Sequence, residues 1–137
     1  MRNLILTLTL ILAPLMVTAQ ERLPANPDIR GVIQSQMDAF STGNVFTAWT
    51  FASPTIQQMF GSPQIFGDMV ERGYPMVWQP GDVTFLGLRQ QGERLVQQVQ
   101  IVDPTGRGHV LDYEMVQIEG IWRISGVTIL RGQSLGA

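Results

Sequence analysis

The apolar positions of this chain follow three successive rhythms. Residues 4–17 are apolar apart from Thr7 and Thr9, follow a charged start at Met1-Arg2-Asn3, and run into Val17-Thr18-Ala19 just before Gln20. A positive n-region, an apolar run of about 7–15 residues and a small-residue cleavage site make up a secretory signal peptide. A membrane anchor needs about 20 apolar residues, and this run is shorter and contains Pro14. The expectation is a signal peptide over residues 1–19, and a periplasmic or secreted mature protein with no stable membrane insertion after cleavage. Beyond a flexible lead-in over residues 20–25, the spacing becomes helical. Ile29, Val32, Ile33, Met37 and Phe40 follow a 3.6-residue period, Asn26-Pro27-Asp28 supplies start signals, and Gly43 supplies a stop. Short helices are expected at 44–52 and after Ser53-Pro54 and Ser62-Pro63. From Tyr74-Pro75 onward the pattern turns extended. Residues 82–89, 94–103, 109–118 and 122–130 are rich in Val, Ile and Leu, with turn signals at Gln91-Gly92, Asp103-Pro104-Thr105-Gly106 and Glu119-Gly120. Tight turns join only antiparallel neighbours, because parallel strands need long crossovers. Helices followed by hairpins predict an α+β fold, with one domain over residues 26–131 and a tail over 132–137.

Composition narrows the chemistry. The chain has 137 residues, 45% hydrophobic and 15% charged, with a net charge of −2. All nine of its cations are scattered arginines, a distribution that argues against nucleic acid as a partner. With no cysteine there is no disulfide, thiol nucleophile or cysteine metal site. A single histidine, His109, rules out a histidine-rich metal site within one chain. No phosphate loop, nucleophile motif or carboxylate metal cluster occurs at recognisable spacing, and no cofactor is implied.

Four segments carry a family likeness: Phe51-Ala52-Ser53-Pro54, Gly73-Tyr74-Pro75-Met76-Val77-Trp78, Leu111-Asp112-Tyr113-Glu114-Met115-Val116 and Trp122-Arg123-Ile124. Together they resemble an exported bacterial family, domain of unknown function 4864, within the nuclear-transport-factor-2-like superfamily. The likeness covers roughly residues 28–130. It implies a cone: a strongly curved antiparallel sheet wrapped over a long N-terminal helix, often with a pocket at the wide end. It implies no activity, and superfamily relatives include isomerases, dehydratases and pure binding proteins, so fold alone does not choose among them.

Strand alternation sorts the candidate residues. His109, Leu111, Tyr113, Met115 and Gln117 share one face, expected to point toward the helices; Val110, Asp112, Glu114 and Val116 share the other. Leu95, Gln97, Val99 and Ile101 of the neighbouring strand are expected on the inner surface. Gln36 falls near the centre of the apolar stripe of the first helix, where its amide must find partners. Tyr74 and Trp78 bracket the crossing from helices to sheet and read as either a pocket mouth or a plug. The reading is a non-catalytic binder of a small apolar ligand or a protein partner, with Gln36, Gln97, His109, Tyr113, Tyr74 and Trp78 around a pocket between the first helix and the sheet. The alternative is a cofactor-independent isomerase, dehydratase or hydrolase using His109, Tyr113 and Asp112. A homodimer through the Asp112/Glu114 face, which also carries Val110 and Val116, completes the expectations.

Overall fold

The computed structural model describes residues 20–131, together with Thr9 and Ile11. Most of residues 1–19, expected to form a signal peptide, and the tail over 132–137 with Ser134, lie outside the described residues. Helices come first: α1 (Pro27–Ser41), α2 (Val45–Thr50), α3 (Pro54–Phe60), α4 (Pro63–Gly73) and α5 (Pro75–Trp78). Local chemistry sets their starts. Asn26 accepts from the backbone N–H groups of Asp28 and Ile29 at 3.0 and 3.2 Å, with Pro27 in the first helical turn. Asn44, Ser53 and Ser62 cap α2, α3 and α4 in the same way. Each cap satisfies donors that a helix end otherwise leaves unpaired.

The sheet is antiparallel with strand order β1-β2-β3-β4-β5, built from β1 (Glu21–Leu23) and a hairpin-linked meander of β2 (Asp82–Gln91), β3 (Arg94–Val102), β4 (Gly108–Ile118) and β5 (Ile121–Ile129). Sequence patterning predicts four of these strands. The fifth, β1, falls in the segment expected to be a flexible lead-in: Arg22 pairs with Arg89 and Leu23 with Leu88. Three residues carry too short an alternation to read as a strand, and β2 supplies the template that makes them one. At the β4–β5 hairpin, Glu119 and Gly120 take φ of 52° and 79°. That is the two-residue turn whose twist matches antiparallel strands.

The core lies between α1 and the inner face of the sheet. Ile29, Ile33 and Met37 of α1 are fully buried, as are Val99, Ile101, Leu111 and Tyr113 of β3 and β4. Phe40 anchors an aromatic cluster, with ring centroids 5.7 Å from Phe66 and 5.5 Å from Trp78. Trp49 and Phe60 extend it through Phe66. The outer face is less solvated than its acidic residues imply. Val96 and Val110 are buried on it, so Val110 adds nothing to an exposed docking surface.

Candidate functional site

Two register shifts shape the sheet around its inner face. One, in β2 between Phe85 and Leu88, displaces Leu86 and Gly87 from the ladder with β3. The other lies between β4 and β5, where Glu114 pairs with Gly126 and Met115 with Ile124, leaving Ser125 as the extra residue. A bulge re-aims side chains that regular alternation would send elsewhere. Residues 124–127 of β5 consequently all border a single cavity of about 300 Å³.

The rest of that cavity's wall comes from helices. Gln36 and Phe40 of α1, Ile56, Met59 and Phe60 of α3, Phe66, Met69 and Val70 of α4, and Tyr74 and Val77 at α5 surround it. Residues 51–53 hold α3 against β5: Ile124 N–H donates to Phe51 O, and Ser53 N–H donates to Ile124 O, both at 2.8 Å. Ser53 Oγ also donates to Ser125 Oγ at 3.1 Å, and Arg123 Nη1 donates to the Thr50 carbonyl. On the opposite side the Tyr74 hydroxyl donates to the Val127 carbonyl at 3.1 Å, pinning the α4–α5 junction to β5. Among the described residues, no charged side chain lines the void. Its polar groups are neutral: the Gln36 amide, the Ser125 hydroxyl and the Tyr74 hydroxyl.

The sequence-derived candidates divide on this geometry. Gln36 and Tyr74 border the cavity; Gln97, His109, Tyr113 and Trp78 are not among its lining residues. The Gln36 amide also bonds internally, its Nε2 donating to the Ala48 carbonyl of α2 at 3.1 Å. Trp78 is partly buried and packs at a tilt against Phe40 at the margin of the core. His109 lies near the sheet's end, its Nε2–H donating to Asp103 Oδ2 at 2.9 Å. Asp103 also accepts from Thr105 Oγ1 at 2.6 Å and from the backbone N–H groups of Thr105 and Arg107 at 3.0 Å. The His109 hydrogen bond, followed by that from Thr105, holds the Asp103 carboxyl well below the usual carboxylate range. This constellation braces the β3–β4 turn.

Tyr113 is wholly buried, and burial, with a smaller contribution from nearby Tyr74, pushes its phenol far above the ordinary tyrosine value. It stays protonated and cannot serve as a base near neutral pH. Asp112 occupies the opposite face of β4, where Arg89 grips it through two bonds of 3.1 and 2.5 Å. The three residues of the enzymatic alternative therefore occupy three environments: Tyr113 in the core, Asp112 paired with Arg89 on the outer face, and His109 bonded to Asp103 at the β3–β4 turn. Among the described residues, no group of three or more His, Cys, Asp or Glu side chains could hold a metal ion.

Sequence reasoning missed the α3 and α4 walls and Ser125. The helical walls were signalled by Ile56, Met59 and Phe60, and by Phe66, Met69 and Val70, each set at i, i+3 and i+4. Ser125 depends on the β5 register shift, and only the glycine beside it gives a hint.

Fold and cavity together define a class: a small α+β protein whose five-stranded antiparallel sheet and short helices border a half-open, largely apolar cavity. The chain belongs to a family described as Domain of unknown function (DUF4864), whose model matches residues 22–137. No curated protein and no solved structure matches the chain.

Proposed function

We propose that this protein is a non-catalytic binder of a small, neutral, largely apolar ligand held between α1, α3, α4 and β5. The observation that carries the reading is the composition of the cavity wall among the described residues: aromatic and aliphatic side chains, two methionines, three neutral polar groups and no ionisable group other than Tyr74. About 300 Å³ is at the lower end of ordinary ligand sites, so the ligand is compact. Burying a charged group in such a wall would go uncompensated. Met59 and Met69 add side chains that adapt to irregular shapes.

The export reading completes the proposal: the leader directs the chain out of the cytoplasm, and the mature protein meets its ligand in the periplasm or the medium. Kinship with the cone folds of the nuclear-transport-factor-2-like superfamily belongs to the same proposal, supported by the meander order and by α1 packed against the sheet.

The decisive experiment recovers the protein from its native compartment and identifies co-purified small molecules by mass spectrometry. Expected is a neutral apolar compound released on denaturation, and loss of that compound from a Met69→Trp variant that fills the void. Protein that carries nothing and takes up no apolar fluorescent probe would overturn the reading. N-terminal sequencing of the same material is expected to begin at Gln20; a membrane-bound species beginning at Met1 would refute export.

A further inference from the structure

The outer face of the sheet carries a second cavity, of about 580 Å³, and its wall is charged. Arg89 of β2 reaches over β3 to Asp112 of β4 and holds both carboxylate oxygens, with the Gln98 amide 3.5 Å from one of them. The paired side chains are only 18% and 13% exposed, so this guanidinium is fixed in place. Arg22 of β1 stands directly across the ladder from Arg89 and lines the same cavity. Like charges directly opposite on neighbouring strands repel. Among the described residues, Asp112 is the only acidic side chain lining this cavity, and no carboxylate pairs with Arg22. Neighbouring Glu21 alternates to the other face of β1. Two cations and one anion therefore line the cavity, a local positive excess on a chain whose net charge is −2.

The space is larger than an inorganic ion needs. Gly87, displaced from the ladder by the β2 register shift, borders the cavity without a side chain, and a Cβ built there would meet nothing within 4 Å. Its φ is not positive, so glycine supplies room here rather than a turn. Leu130, whose N–H donates to the Val110 carbonyl at 2.9 Å, adds an apolar border.

We propose that this outer-face cavity is a second binding site, which takes a small organic monocarboxylate. Its carboxylate pairs with Arg22 beside Arg89, and its apolar body lies against Leu130 and over Gly87. A guanidinium meets a carboxylate through paired hydrogen bonds, and one uncompensated cation matches one negative charge. A phosphate dianion would exceed it. The inner cavity does not compete for such a ligand, because its wall offers no cation among the described residues.

The test titrates benzoate, benzyl alcohol and inorganic phosphate into isotope-labelled protein expressed from the full chain, and follows backbone amide shifts by NMR. Expected is saturable benzoate binding that moves the amides of Arg22, Gly87, Arg89 and Gln98 and leaves those of α3 and α4 in place. At low salt it should be about tenfold tighter than either other probe, and it should weaken as sodium chloride is added. Arg22→Gln should cut the preference for benzoate over benzyl alcohol to about twofold or less. Gly87→Leu, which fills the dent, should weaken benzoate about fivefold. Arg22 is exposed and Gly87 faces open space, so both variants should melt as wild type does; if Arg22→Gln does not fold, Gly87→Leu decides. Benzoate bound no more tightly than benzyl alcohol, or a preference that survives Arg22→Gln, would overturn the inference while the inner-cavity reading stands. Phosphate bound as tightly as benzoate would overturn the carboxylate assignment. Benzoate shifts confined to α3 and α4 would overturn both the inference and the neutral-ligand reading of the inner cavity.

Discussion

Replacing Tyr113 by phenylalanine removes one oxygen that is buried and, among the described residues, bonds to nothing. Most buried hydroxyls have partners, and deleting them strands those partners. Among the described residues nothing is stranded here, so stability in urea melts should be unchanged or rise by up to about 1 kcal/mol. A loss of about 2 kcal/mol or more would mean that the hydroxyl has a partner. Asp103 gives the opposite kind of test. Its folded-state pKa is depressed, chiefly by His109, so its contribution is present above the unfolded carboxylate value of about 4 and is lost as pH falls through the folded value. Asp103→Asn should therefore be less stable than wild type at about pH 7 and converge with it as the medium is acidified toward about pH 2. Denaturant melts across that range check this; a constant gap between the two proteins would refute it. Phe40, at 1% exposure, borders both the core and the cavity. Phe40→Ala should cost about 3–5 kcal/mol in equilibrium unfolding.

Among the elements, what the sequence made legible follows from how local each signal is. The caps at Asn26, Ser53 and Ser62 and the turns at Gly92 and Gly120 depend on a few adjacent residues, and they lie where the pattern puts them. Alternation placed Tyr113 and Leu111 inward and Asp112 outward. The strand β1 and the two register shifts depend on neighbours far away in sequence, and these set the position of the cavity. The pocket was accordingly expected beside Tyr113 but opens toward α3 and α4 instead. Long-range fit also governs Gly81, just before β2. A Cβ there would sit 2.3 Å from the Val102 carbonyl oxygen, and a backbone atom cannot swing aside as a side chain can. Gly81→Ala should destabilise the fold by about 1–3 kcal/mol through forced displacement of the β3–β4 turn. An unshifted melting temperature would show that this turn adapts freely.

For the whole molecule, the sheet's two margins matter beyond the cavity. An unpaired strand edge invites another chain to add to it. One margin, β5, is flanked by residues 51–53 through the bridge between Ala52 and Ile124. The other ends in β1, only three residues long, which shields part of the ten-residue β2. Removing residues 20–23 would leave all of β2 as an open edge carrying Val83, Phe85 and Leu88. Such a truncated protein should still form its helices but self-associate into β-rich aggregates, detected by light scattering and amyloid-sensitive dyes at concentrations where the intact chain stays clear. A short N-terminal segment that contributes little to the core thus works as a solubility device, guarding the protein from polymerising with its own copies.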